Sequence, residues 1–208
     1  MGTDTVPLRE QGMDLDDLFV LKQVHGDRVI ALRDNDDFVK QRLAEGDAIL
    51  SSVPHRPIAV KTADCVPILF AHPSGLIGAV HAGWRGSAQR VLLKTLQALE
   101  RDFLLKTGDL KMAIGPTICW DHYEVGAEVA RQFPEGRYPG VLRPYGEKFL
   151  LNLSRVNFLQ ALEAGVLEGN LKVCSPCTLE DLSLHSYRRS LKEGKQEVGR
   201  NYSWIFFR

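Results

Sequence analysis

The chain is predicted to fold as a mixed-sheet α/β or α+β domain, and three features carry that expectation. Short β-branched or apolar runs separated by Gly and Pro crowd residues 47–80, the pattern of buried strands between turns. One long amphipathic helix follows over 87–105, where Val91, Leu92, Thr95, Leu96, Leu99 and Phe103 recur at helical spacing. Strands and helices then alternate irregularly, with several hairpins, which favours a mixed sheet over a strictly parallel one.

Taken in order, residues 1–15 read as a weakly structured lead-in. The run 18–24 reads as the first strand, and 29–32 as its continuation after His25-Gly-Asp-Arg. The acidic stretch 34–37 reads as a solvated turn. Strands are expected at 47–51, 58–62, 66–71, 76–80 and 111–114. A helix is expected over 125–132, ended by Pro134, and the Pro- and Gly-rich stretch 134–149 reads as loop. A second clear helix spans 153–164 with Gly165 as its cap, and late strands fall at 169–173 and 202–207.

At 208 residues the chain suits one domain. Its 26 basic and 26 acidic residues cancel, which removes the field that nucleic-acid or membrane-surface binders use. A small-molecule substrate is the expected partner, with neither nucleic acid nor membrane. The start MGTDTVPLRE lacks the basic and apolar regions of a secretory signal, and no apolar run reaches the roughly 20 residues of a membrane span. Four cysteines, Cys65, Cys119, Cys174 and Cys177, do not resemble a secreted disulfide scaffold. A cytoplasmic location is expected.

The sharpest geometric expectation concerns Cys65 and His81. With Pro73 at the centre of the turn His72-Pro-Ser-Gly75, each lies eight residues from it. Residues symmetric about a hairpin turn face each other across the ladder, so thiol and imidazole should sit side by side. Both are zinc ligands, and His25, followed by Gly at a strand end, is a natural third. Three protein ligands leave a fourth position for water or substrate. The plainer alternative makes Cys65 a buried apolar filler and His81 a hydrogen-bonded core residue. Gly83-Trp-Arg-Gly86, between strand and helix, suggests anion binding through backbone N–H groups and Arg85, or merely a tight turn with Trp84 packed.

Gln23-Val-His-Gly26, Gly46-Asp-Ala48, Thr62-Ala-Asp-Cys65 and Ala79-Val-His-Ala-Gly-Trp-Arg-Gly86 resemble, in order, the motifs of one family. Gly115-Pro116, Tyr123-Glu-Val-Gly126, Cys177-Thr178, Ser186-Tyr-Arg-Arg189 and Gly199-Arg200 continue the match. The family is variously named multicopper polyphenol oxidase or laccase domain, purine nucleoside phosphorylase, and peptidoglycan editing factor. The resemblance implies a zinc site of His25, Cys65 and His81, and two mixed sheets between helices, related to cysteine-hydrolase toxin domains. It also implies phosphorolysis of adenosine, inosine, guanosine and methylthioadenosine, with adenosine deamination as a second activity. Cys65, Asp64 and Arg85 are then the candidate catalytic residues, and Gln23, Asp47, Gly83, Trp84, Arg85 and Gly86 the candidate substrate- and phosphate-binding set. One departure is that family members usually carry an Arg-Gly-Gly segment and an Asn-rich strand before Gln-Val-His-Gly, and neither is visible in the 24 residues before His25.

Asp64 can either protonate the leaving base or orient a metal ligand. A different enzyme class uses the same atoms: a cysteine hydrolase with Cys65 as nucleophile and His81 as base. A third reading is a non-catalytic zinc that closes the fold. Copper oxidase chemistry is not expected, because a copper cluster needs many imidazoles and the chain has six His with no His-x-His pair. The zinc deaminase signature is unmet, since His122-Tyr-Glu124 supplies H-x-E but Pro176-Cys177 lacks a second Cys at position 180. Cys174-Ser-Pro-Cys177 has C-x-x-C spacing without a second pair and reads as two ordinary thiols. Trp84 and Tyr123 can stack on a base or pack in the core, and Arg188, Arg189 and Arg200 can line a pocket or face solvent.

Overall fold

A computed structural model describes residues 10, 12–174 and 176–207. The lead-in expected over 1–15 falls outside the described residues at positions 1–9 and 11. The strands are β1 (Val29–Leu32), β2 (Ala48–Ser51), β3 (Ile58–Thr62), β4 (Val66–Ala71), β5 (Ile77–Ala82), β6 (Lys111–Ile114), β7 (Glu124–Val125), β8 (Leu142–Tyr145), β9 (Lys148–Leu151), β10 (Leu171–Val173) and β11 (Asn201–Ile205). The helices are α1 (Phe38–Arg42), α2 (Trp84–Ala88), α3 (Val91–Phe103), α4 (Ala127–Ala130), α5 (Leu153–Glu163) and α6 (Tyr187–Lys192).

A mixed α/β fold with several sheets results. Among the described residues there are three sheets rather than the two expected, and only one is mixed. Its six strands run β1-β2-β5-β4-β6-β10, with β1–β2 and β10–β6 parallel and the middle pairs antiparallel. β3 and β11 form an antiparallel ribbon, and β7-β9-β8 a small antiparallel sheet. Every residue of the central strand β5 is buried, as a strand covered on both faces must be. On one face lie Leu92, Leu96 and Leu99 of α3 with Val156 of α5. On the other lie Ile58 and Val60 of the ribbon with Phe19 and Leu21.

Several expected elements changed type. The segment 18–24 is not a strand: it makes only the isolated bridges Phe19↔Ile58 and Lys22↔Glu45. The helix expected over 87–105 is two helices, because Arg90 adopts a left-handed φ of 64° between them and its guanidinium pairs with Glu163 of α5. The helix expected over 125–132 keeps a single turn, α4, since Glu124 and Val125 pair with β9. The expected loop 134–149 contains the β8–β9 hairpin instead, whose outer strand is mostly exposed and so has no apolar alternation to announce it. The helix over 153–164 forms as expected, with Ala164 closing α5 and Gly165 following at φ 90°.

Candidate functional site

The hairpin β4–β5 forms, but its centre moves by one residue and each cross-strand partner by two, which keeps Cys65 and His81 on the same face. Ala71 pairs with Ile77 and Pro67 with His81. The ladder is therefore symmetric about Ser74, and the position opposite Cys65 is Gly83. The reason is the turn: His72 N–H donates to Leu76 O at 2.8 Å and Gly75 takes φ 91°, so Leu76 belongs to the loop and β5 starts later. Cys65 and His81 meet as diagonal neighbours, a separation long side chains can span.

The ligand-type atoms of His25, Cys65 and His81 lie within 4.8 Å of one another. The two imidazoles meet edge-on, with centroids 4.8 Å apart. His81 is 2% exposed, whereas His25 faces outwards. A Cβ at Gly83 would stand 3.1 Å from Cys65 Sγ and 3.2 Å from His25 Cδ2, so only glycine leaves the space between the three side chains clear. A thiol with two imidazoles around such a space fits a zinc-class cation.

Asp47 holds this cluster together. Its Oδ1 lies 2.7 Å from His81 Nδ1, and the carboxylate also accepts the N–H groups of Val24 at 3.2 Å, His25 at 3.0 Å and Gly26 at 2.7 Å. A carboxylate acceptor puts the His81 proton on Nδ1 and leaves Nε2 free to ligate. The same bonds fix His25 at φ 59°, a left-handed conformation uncommon outside glycine. Burial works to raise the Asp47 pKa, but His81 and the backbone N–H groups outweigh it and keep the carboxyl below its usual range. Asp47 is 1% exposed, and both its oxygens already accept hydrogen bonds.

Burial is also the largest influence on the two buried metal-type ligands, and it opposes charge on each. The His25 and His81 rings still bring the Cys65 thiol down to about 7. Asp47 and Cys65 bring His81 up to about 9.

These residues sit in a cleft of about 770 Å³ lined also by Gln23, Asp64, Trp84, Arg85, Tyr123 and Arg188, a size within the range of small-molecule pockets. Gln23 is pinned by a pair of 2.8 Å bonds, Nε2 donating to Lys61 O and Oε1 accepting Lys61 N–H. The Arg85 guanidinium lies 4.4 Å from the Trp84 ring centroid. Asp64, at φ 88°, accepts from Thr178 Oγ1 at 2.6 Å and from the Arg188 N–H at 2.7 Å. It therefore ties the C-terminal segment to the cleft, while Asp47 is the carboxylate that orients a histidine.

Gly83 abuts the Cys65 and His25 side chains, while Gly86 abuts the His25 loop. A Cβ at Gly86 would stand 2.8 Å from the Gly26 carbonyl oxygen, so that glycine admits the His25 loop. Of the late arginines, Arg188 and Arg200 line the cleft. Arg189 instead donates to the carbonyls of Thr178, Leu179, Asp181 and Leu184. Lys22, Lys61 and Tyr187 also line the cleft; no motif or spacing distinguishes the two lysines from solvated surface, and in Ser186-Tyr-Arg-Arg189 the arginines drew attention away from Tyr187.

The sequence model of a family described as multi-copper polyphenol oxidoreductase laccase matches residues 6–208. The chain belongs to this family. A relative named purine nucleoside phosphorylase from Deinococcus radiodurans is 37% identical over 180 residues, covering 86% of this chain and 67% of that protein. One named adenosine deaminase RL5, from an unknown prokaryotic organism, is 34% identical over 202 residues, covering 90% and 76%. Among solved structures, the hypothetical protein YfiH of Bacillus licheniformis superposes with a TM-score of 0.87 at 27% identity, covering 97% of this chain and 78% of that one. Family members thus carry nucleoside-processing names, and the family's oxidase description stands beside them. No helix among the described residues is long and apolar enough to cross a membrane.

Proposed function

We propose that the cleft catalyses phosphorolysis of purine nucleosides (adenosine, inosine, guanosine and methylthioadenosine), with adenosine deamination as a second activity, and that His25, Cys65 and His81 hold one zinc ion. The observation that carries this reading is that one cleft joins the two-imidazole, one-thiol cluster to aromatic and cationic side chains. Relatives named for these two activities support it.

In phosphorolysis a phosphate oxygen bonds to the anomeric carbon as the glycosidic C–N bond breaks, and the purine leaves with the electron pair and takes up a proton. Arg85 and Arg188 would bind and orient the phosphate, each able to grip two oxygens. Trp84 and Tyr123 would flank the purine. Burial, and then the charge of Cys65, raises the Tyr123 pKa, so its phenol stays protonated as a donor towards the departing base. When bound, the ion supplies Lewis-acid stabilisation of charge developing on that base. Copper is disfavoured: of six His, only His25 and His81 reach this cluster. Four free thiols suit the reducing cytoplasm proposed as its location.

The test is a nucleoside panel assayed with and without phosphate, for the wild type and Cys65→Ala. Phosphate-dependent release of free base that is lost in the variant is the expected result. Base release indifferent to phosphate, or unchanged in the zinc-depleted variant, overturns the reading.

One observation favours a second reading. The Cys65–His81–Asp47 series also has the composition of a nucleophile, its base and an orienting carboxylate. A cysteine hydrolase or amidase acting on peptidoglycan precursors would use it, and kinship with cysteine-hydrolase toxin domains belongs with this alternative. Such an enzyme dies with iodoacetamide and keeps its activity when only the ion of the His25, Cys65 and His81 cluster is removed, whereas loss of activity with that ion excludes it.

A further inference from the structure

A second group of metal-type side chains lies outside the cleft, on two short turns. In the first, the N–H groups of His122 and Tyr123 both donate to Cys119 O at 3.1 Å. In the second, the N–H groups of Glu180 and Asp181 donate to Cys177 O at 3.1 and 2.9 Å. Each turn therefore presents a cysteine and, three residues on, a further ligand type: Cys119 with His122, and Cys177 with Glu180. The bridge Thr117↔Cys177, with Thr178 N–H donating to Thr117 O at 3.1 Å, sets the turns side by side.

The ligand-type atoms of Cys119, His122 and Glu180 consequently fall within 4.8 Å of one another. His122 Nε2 and Glu180 Oε1 are already 2.7 Å apart. Cys177 Sγ accepts the Cys119 N–H at 3.2 Å, which puts a second sulfur against the first turn. Paired turns offering cysteine and histidine are how structural zinc sites are commonly built, and sulfur, imidazole and carboxylate together suit zinc better than the harder cations.

We propose that Cys119, His122 and Glu180, with Cys177 as fourth donor, bind a second zinc ion that is structural and separate from the His25, Cys65 and His81 cluster. Cys177 stands outside the 4.8 Å group and would swing in as the fourth donor, so that two cysteines, one imidazole and one carboxylate close the coordination sphere with no open position for substrate. The ion would clamp the segment after β10 onto the turn before β7. That segment continues through Thr178, whose hydroxyl holds Asp64, to the cleft residue Arg188. The proposal is independent of the nucleoside reading.

The experiment measures zinc per chain, and zinc affinity against a chromogenic chelator, for the wild type, Cys65→Ala, Cys65→Ala with His122→Ala, and Cys65→Ala with Glu180→Gln. Cys65→Ala is expected to keep one zinc per chain, and its double variants to bind about tenfold or more weakly. Cobalt substituted into Cys65→Ala should show a thiolate-to-metal charge-transfer band that Cys119→Ser weakens and that Cys119→Ser with Cys177→Ser removes. Because His122 and Glu180 are partly exposed, their variants fold even where a cysteine change does not. Should Cys65→Ala bind no zinc, or bind it as tightly after His122→Ala, or lack the cobalt–thiolate band, the second site falls. One zinc in the wild type that survives Cys65→Ala but not His122→Ala sustains this site and removes the metal from the cleft cluster.

Discussion

The two metal-type clusters are built in opposite ways. Cys65 and His81 are anchored to the ends of β4 and β5 and His25 to the loop before β1, around a carboxylate, Asp47, that is itself fully engaged by four groups. A missing Cβ at Gly83 leaves room among them. Cys119, His122 and Glu180 rest on two surface turns, and the His122–Glu180 contact links their side chains. A buried, carboxylate-braced cluster keeps its geometry without an ion, which suits a site that must present an open position. A turn-borne cluster gains its rigidity from the ion, which suits a clamp.

That contrast breaks most sharply at Asp47. Asp47→Ala leaves the buried His81 and three partly buried backbone N–H groups without their acceptor, and should cost about 3–5 kcal/mol in urea unfolding. A loss under about 1 kcal/mol would show that the brace is dispensable. The next largest effect belongs to Gly86→Ala, whose methyl meets the Gly26 carbonyl at 2.8 Å. It should cost about 1–3 kcal/mol as the His25 loop is pushed away. Gly83→Ala meets the side chains of Cys65 and His25 instead, so zinc affinity at the cleft should fall by roughly tenfold while melting changes little. A wild-type zinc titration curve in that variant would mean that the ion sits elsewhere. Smallest of all, His122→Ala in metal-free protein should shift stability by no more than about 0.5 kcal/mol. A larger loss would make the His122–Glu180 pair, rather than an ion, the link between the turns.

The motif residues were legible because their chemistry is unusual: a Cys and two His, one of them followed directly by Gly26, suggest ligation before any fold is known. Their mutual arrangement was not. The hairpin about Pro73 proposed the right partners in the wrong register, because an extra loop residue at Leu76 depends on how Gly75 turns. The enclosure of Asp47 by the loop at 24–26 was hidden too, since a motif aspartate gives no hint of it. The helix break at Arg90 followed from a contact with Glu163, over seventy positions away in the chain.

Sequence alone determined which residue types recur with strand and helix periodicity, where the chain turns, and which side chains are able to hold a metal, because those properties reside in single residues and their near neighbours. Tertiary structure decided what faces what: Gly83 rather than His81 opposite Cys65, Asp47 behind His81, Asp64 against the C-terminal segment, and the turns of Cys119 and Cys177 laid side by side. Each of these rests on strand register or a long-range hydrogen bond, where a shift of one residue reverses the face a side chain presents, and no local pattern encodes that choice.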